Sequence, residues 1–410
     1  MSDQRRATTP RKPGIARHGR LRTPNPWLSV LKFIGVAIVV VATSAASIVA
    51  IDGYRIASSV KSFALPHETV GPPPNIAAME GGFNILLVGS DTGIGQGDLG
   101  DGRGKATLND VNILMHVAAD HSYAVAVSFP RDLVVPIPSC LNPKTGKNSK
   151  AMAAQPINVA LSYGGVGCVA TTVEALSGLT IDFAGLITFT GVIEMSNAVG
   201  GVPVCLSEPV HDKFTGFNRD AGVYNLSGYD ALMFLRSRHG VGDGSDLTRI
   251  SSQQVFLSSL VRTLKSNETL TDLPKLYQIA NAALSNMELS NSFKHPDTLV
   301  AIASALKDIP LDRVTFVQFP GTTGNPVGSP YFNKVKPNTA IANQLFAKLK
   351  ADTPFALAKA GDGQGSVLDP NATALPVDPN ETAPPTDLET IPGLKGQTAA
   401  DQTCSRAYHG

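Results

Sequence analysis

The sequence predicts a three-layer α/β domain, with helices on both faces of a β-sheet, held behind an N-terminal membrane anchor. Three observations predict it. Between residues 84 and 351, short apolar runs of strand length alternate with amphipathic runs of helix length, as in βαβ units. Residues 33–51 are nineteen in a row without a charge. From residue 352 the alternation gives way to a stretch rich in Pro, Ala, Asp, Thr and Gly. The expected organisation is a basic cytoplasmic segment 1–32, a transmembrane helix 33–51, an extracytoplasmic spacer 52–79, a large domain 80–351, a disordered linker 352–392 and a tail 393–410.

The net charge of +1 matters less than its distribution. Arg5, Arg6, Arg11, Lys12, Arg17, Arg20 and Arg22 precede the uncharged run against a single Asp3. At ~1.5 Å per residue the run just crosses a hydrocarbon core roughly 30 Å thick. Basic residues before it and Asp52 after it place the N-terminus in the cytoplasm and the rest outside. A cleaved signal peptide is the competing reading, but nineteen apolar residues exceed the usual signal core. The basic arm carries no recognition helix and leads into a span, so nucleic acid is not an expected partner.

All four cysteines, Cys140, Cys168, Cys205 and Cys404, follow the span. An even number outside fits two disulfides, with three possible connectivities. Cys140 with Cys168 and Cys205 with Cys404 is the favoured one, the second bond tying the tail to the core. No pair has C-x-x-C spacing, which argues against zinc.

Taken in order, prolines at 66 and 72–74 stiffen the spacer. Residues 84–91 form the first buried strand and leave Ser90 and Asp91 at its carboxyl end, where ligand sites in α/β sheets gather. Residues 92–104 hold six glycines, including a G-x-G-x-x-G match. No helix follows that match, so it reads as a surface loop and not a dinucleotide site. Residues 111–118 and 122–129 form an antiparallel hairpin, which brings Asp110 and Arg131, at its open end, together. His116 alternates within the first of these strands and reads as structural. Helices are expected at 157–163, 169–176 and 190–199, with strands at 185–189 and 202–206. Ser227 reads as the N-cap of a helix running towards Phe234. Helices at 249–265, 273–287, 296–306 and 338–351 and a strand at 314–319 complete the domain.

One stretch is dense in charge: Arg236, Arg238, Asp246, Arg249, Gln253 and Gln254 fall within nineteen residues. On an extended strand end Arg236 and Arg238 would point the same way, roughly 6 to 7 Å apart, a spacing that suits a diphosphate. Arg249 and Gln253 share a helix face. His239 borders the cluster.

These motifs, in this order, resemble the LytR-CpsA-Psr family. They are Asn84-Ile-Leu-Leu-Val-Gly-Ser-Asp91, Asn109-Asp110, Ser128-Phe-Pro-Arg-Asp132, Ile157-Asn158 with Tyr163-Gly-Gly165, Ala198-Val-Gly-Gly-Val202, and Leu235-Arg-Ser-Arg-His239 with Asp246, Arg249 and Gln253-Gln254. The cysteines and the glycine-rich insertion look most like actinobacterial members. The resemblance implies an αβα sandwich around a mixed sheet, with 80–351 a catalytic domain. It implies a phosphotransferase that moves a glycopolymer, arabinogalactan-like or teichoic-acid-like, from a polyprenyl diphosphate carrier to peptidoglycan through a phosphodiester bond. A polyprenyl diphosphate-binding protein or a pyrophosphatase is the alternative. By the resemblance, Asp91 and Asp110 hold Mg2+ (or Mn2+), and Arg131, Arg236, Arg238, Arg249 and Gln253 bind the diphosphate. Arg236, Arg238, Asp91 and Asp246 are the catalytic set, with either aspartate as the base. Many relatives carry a basic residue where this chain has Leu108, and Arg103 and Lys105 are the residues placed to compensate.

The residue types fit phosphoryl transfer in their own right. Magnesium bound by one or two carboxylates plus phosphate oxygens is its usual device. Arginine forks stay charged and grip phosphate oxygens two at a time.

Overall fold

In the computed structural model, residues 27, 30–37, 39, 40, 43, 44, 61–68, 79–90, 107–266, 269–373 and 388–409 are described. The chain divides into two units, Met1–Arg55 and Ile56–Gly410. In the first, the described residues between 30 and 44 are helical. Their apolar side chains face outward all round the helix: Val30, Leu31, Phe33, Ile34, Val36, Val39 and Val40 are exposed, Phe33 to 76%. A helix apolar on every side is stable in hydrocarbon and not in water, which makes this a membrane segment. The rest of the predicted anchor, residues 38, 41, 42 and 45–51, lies outside the described residues. Ile157–Ser177 also has the length and hydropathy of a span, but half of it is buried. It is a core helix.

The second unit is built on an eight-stranded mixed sheet. Its strands in chain order are β1 (Ser62–Phe63), β2 (Phe83–Ser90), β3 (Asn109–Val117), β4 (Ala124–Phe129) and β5 (Phe183–Ile187). A second sheet contributes β6 (Val202–Leu206) and β7 (Gly222–Leu226). The main sheet continues with β8 (Met287–Ser290) and β9 (Val314–Gln318). β10 (Ser366–Leu368), β11 (Gly396–Thr398) and β12 (Thr403–Ser405) end the chain. The main sheet runs β1-β8-β5-β2-β3-β4-β9-β11 and the smaller one β7-β6-β12-β10.

Alternation along the central strands makes the layers. Leu86, Val88, Leu114, Val125 and Val127 face one way. They pack on Val169 and Val173 of α1 (Ala160–Ser177) and, further along, on Leu345 and Phe346 of the last helix, Thr339–Lys350. Phe83, Ile85, Ile113, Ala126 and Phe316 face the other. The helices on that side are Asp246–Ser266, Leu273–Asn286 and Pro296–Lys307. With α2 (Phe189–Ala198) and α3 (Gly228–Arg236) named, these become α4, α5, α6 and, for Thr339–Lys350, α7. The αβα sandwich expected from the alternation is the observed fold.

Several boundaries differ from the sequence reading, each for a local reason. The two helices expected around 157–176 are one, entered through a 3-10 turn and kinked at Gly164 and Gly165, where Gly165 takes φ 66°. Ser227 occupies the N-cap position of α3 but its side chain makes no capping bond. Arg236 and Arg238 are not on a strand end. Arg236 is the last residue of α3, and Arg238 lies in the turn beyond it.

The spacer and the linker are corrected as well. β1, from the spacer, adds a parallel edge strand to β8. The part of 352–392 that is described folds onto the domain: Phe355, Ser366 and Ile391 are buried, and β10 pairs with β12. β11 then closes the far edge of the main sheet on β9. Low apolar content hid these strands, because backbone pairing, polar side-chain hydrogen bonds and a disulfide hold them more than apolar packing does. Both favoured disulfides are present, Cys140–Cys168 and Cys205–Cys404, the latter across register-paired β6 and β12.

Ending the chain at residue 351 therefore removes three strands and one disulfide. The shortened protein should melt about 10 °C or more below the full chain in detergent. Equal melting temperatures would make this segment an appendage.

Candidate active site

The carboxyl ends of β2 and β4 and the first turn of α4 converge on a group of paired charges. Asp110, near the start of β3, forms an ion pair with Arg131, which follows β4, as the hairpin geometry requires. The backbone N–H of Arg131 donates to Asp246 Oδ2 at 2.7 Å. Arg249, one turn along α4, forms an ion pair through Nη2 with Asp246 Oδ1 at 2.6 Å and donates to the Asp110 carbonyl at 2.9 Å. Asp246 is 1% exposed. Burial holds its carboxyl above the usual range, the Arg249 guanidinium offsetting only part of that rise. It sits behind the arginines and fixes them.

Arg249 and Asp110 line a cavity of about 450 Å³ whose walls are almost wholly apolar, and Arg131 adjoins it through its ion pair with Asp110. Asp110, Arg236, Arg249, Gln253 and Ser90 line it at the polar end, and Phe256, Leu260, Leu276 and Ile279 are among its apolar lining. Arg236 differs from its neighbours. Its guanidinium lies over the Phe189 ring, 4.2 Å from the centroid, and no carboxylate pairs with it among the described residues. Two carboxylates pair with Arg131 and Arg249, so among the described residues Arg236 leaves the rim with one uncompensated positive charge. Arg131 Nε and Arg249 Nε are buried donors with no hydrogen bond. Each such donor costs about 1–3 kcal/mol until an acceptor meets it. Phosphate oxygens are the acceptors this arrangement suits.

The remaining predicted residues are distributed around this rim. Gln253 donates to the Leu235 carbonyl at 2.9 Å and so holds the end of α3 that carries Arg236. Arg238 turns away from the cavity, donating to the Gly244 carbonyl at 2.9 Å and standing 3.6 Å from Asp132. Lys334 joins Asp132 from the other side at 2.7 Å. Asp91 lies outside the described residues, as do Arg103, Lys105 and the glycine-rich loop. Its neighbour Ser90 lines the cavity and pairs with Asn109, next to Asp110. His116 is structural: it meets Asn84 at 2.9 Å, and burial lowers its pKa.

Three contributors were not singled out from sequence: Phe189, Lys334 and Asp212. Asp212 Oδ2 accepts from the Ser237 hydroxyl and from the N–H groups of Arg238, His239 and Gly240, at 2.9 to 3.1 Å. It thus shapes the turn that presents Arg238. Its placement in a polar segment 25 residues before that turn gave no periodic signal.

A candidate metal-coordinating group, Cys205, Asp369 and Cys404, has its ligand atoms within 4.8 Å of one another. It is not part of the cavity lining. With the two sulfurs joined to each other, neither offers a thiolate to an ion. At the cavity itself, Asp110 is the described carboxylate placed for a metal, one oxygen ligand beside phosphate-binding arginines, which fits the sparse protein ligation magnesium accepts.

The LytR_cpsA_psr family model matches residues 51–350. Cell wall biosynthesis protein LcpA of Corynebacterium glutamicum is 31% identical over 271 residues, 60% of this chain and 51% of that protein. A polyisoprenyl-teichoic acid–peptidoglycan teichoic acid transferase, TagU of Enterococcus faecalis, is 29% identical over 211 residues, 52% of this chain and 62% of that one. The chain thus spans about half the length of the first of these relatives. Among solved structures, TagV of Bacillus subtilis superposes with a TM-score of 0.53 at 21% identity, over 67% of this chain and 100% of that one. A LytR-Csp2A-Psr enzyme from Actinomyces oris gives 0.50 at 21%, over 70% and 96%. At these identities the superpositions speak for the fold.

Burial pushes the Asp212 carboxyl up, but the donors from Ser237, Phe214, Arg238 and Thr215 outweigh it and hold its pKa below the usual range. The stability Asp212 supplies is therefore present above the unfolded carboxylate value of about 3.9 and lost as pH falls through its lower folded value. Asp212→Asn should lack this acid-side component and be about 1–3 kcal/mol less stable at pH 7 in denaturant titrations. An unchanged stability profile would remove Asp212 from this role.

Proposed function

This chain belongs to the LytR-CpsA-Psr family, and we propose that it is a membrane-anchored phosphotransferase that moves a glycopolymer from a polyprenyl diphosphate carrier to peptidoglycan. One observation carries the reading: an apolar cavity whose polar end holds Asp110, Arg249 and an arginine, Arg236, with no carboxylate partner among the described residues. A ligand that fits has a long hydrocarbon tail and an anionic head. A polyprenyl diphosphate has both. The basic segment before the anchor and the two disulfides, a bond type favoured outside the cytoplasm, support a catalytic domain on the outer side.

In this reading an acceptor sugar hydroxyl attacks the phosphorus that bears the glycopolymer. The new bond is sugar oxygen to phosphorus, and the broken one joins that phosphorus to the bridging oxygen. Polyprenyl phosphate leaves with the bond's electron pair, and the hydroxyl proton passes to a carboxylate. Asp246 is enclosed by Arg131 and Arg249, which argues against it as the base and leaves Asp91 as the remaining candidate. Arg236, Arg249 and Arg131 grip the diphosphate oxygens and offset the charge that grows on the leaving phosphate. Arg238, at the outer rim with Lys334, receives the sugar-bearing side. Magnesium or manganese, held by Asp110 and Asp91, would supply further charge neutralisation when bound.

Full-length protein with a polyprenyl diphosphate sugar, a peptidoglycan glycan and magnesium should release polyprenyl phosphate and form a sugar-phosphate-sugar diester. Arg236→Ala should lower kcat/KM by about 10²–10³. Release without sugar transfer would make the protein a pyrophosphatase, and tight binding without release a carrier protein.

A further inference from the structure

Beyond Arg238 the surface presents an aromatic ring with no packing role. The hairpin Val210–Asp212 and Phe217–Arg219 is anchored by Phe217, which is buried against Phe234 with centroids 5.4 Å apart, and by an Arg219–Asp230 ion pair. Its tip carries Phe214, 68% exposed. Phe214 is held nonetheless. Its N–H donates to Asp212 Oδ1 at 2.9 Å, and its ring meets the His239 imidazole at 4.5 Å between centroids. The other oxygen of the same carboxylate holds the Arg238 and His239 backbone. One buried group thus fixes the position of an exposed aromatic relative to an arginine of the site.

We propose that Phe214, braced by His239, is a stacking platform for the donor's sugar ring next to the diphosphate. The proposal rests on the polyprenyl diphosphate reading above and extends it to the glycan. A sugar ring has an apolar C–H face that sits on the negative face of an aromatic ring and an edge of hydroxyls that need partners. The surroundings offer both. Lys213, exposed, holds its ammonium over the ring at 5.4 Å from the centroid and is a donor for a sugar hydroxyl there, while the His239 ring packs at 4.5 Å between centroids. A lipid tail already has the apolar cavity, and a single ring among polar neighbours is too small for a protein interface. The donor's sugar is joined covalently to the phosphate the arginines hold. Arg238, the arginine of the set that turns out of the cavity, marks the side on which the proposal places that sugar.

Affinities of the full-length protein in detergent for farnesyl diphosphate and for farnesyl-diphosphate-linked N-acetylglucosamine test this. Wild type should bind the sugar-bearing probe about threefold to tenfold more tightly, the range a stacked ring supplies. Phe214→Ala should abolish that difference while leaving farnesyl diphosphate affinity unchanged, and Phe214→Trp should keep it. Equal loss for both probes, or loss for neither, would overturn the platform and leave the donor site standing. Wild type binding neither probe would refute the donor site and the platform with it.

Discussion

The site depends on one buried carboxylate. Asp246 opens α4, yet its two oxygens reach the backbone of Arg131 after β4 and the side chain of Arg249 a turn ahead. Arg249 in turn holds the carbonyl of Asp110 at the start of β3. Three segments far apart in the chain are thereby locked at one point. A carboxylate this enclosed is tolerated only while both partners stay in place, because an unpaired buried charge costs about 3–5 kcal/mol. The penalty that makes the arrangement expensive also makes it rigid.

Rigidity at the rim matters because the rest of the cavity is soft and apolar. α4 serves both regions: its first turn carries Asp246 and Arg249, and its later turns turn Phe256 and Leu260 into the cavity. Gln253 lies between them and spends its amide on the end of α3, which aims Arg236. Phe189 completes the mounting by giving the Arg236 guanidinium a flat surface while leaving its edge donors available. The C-terminal strands brace the same helix from behind, through Gln397 to Gln254 and Ser405 to Ser252. Residues that looked peripheral in sequence thus support the site.

How much of this was legible in the sequence follows from which signals are local. The hairpin of β3 and β4 was read from two apolar runs and a short turn, and it placed Asp110 against Arg131 correctly. β6 and the helices α4 to α7 fell close to their expected positions because their apolar periodicity is strong. The sequence marks Arg236 and Arg238 as candidate polyanion ligands and sets them on a strand. The helix α3 ends between them, so Arg236 lines the cavity and Arg238 turns away from it. The C-terminal strands were missed because polar side chains such as Gln397 and Thr403 are buried by hydrogen bonding, which composition does not reveal. Asp212 was missed for the same reason: its meaning lies in four donors that only the fold brings to it.

The central claim is that one cavity houses the lipid while the arginine rim holds its diphosphate. A polyprenyl diphosphate with a photoreactive group at the far end of its tail, crosslinked to the full-length chain in membranes and located by peptide mapping, tests it directly. Label on α4 and α5 around Leu257, Leu260, Leu276 and Ile279, displaced by unlabelled lipid, is the predicted result. Label confined to the membrane segment or the outer surface, unaffected by that competitor, would contradict it.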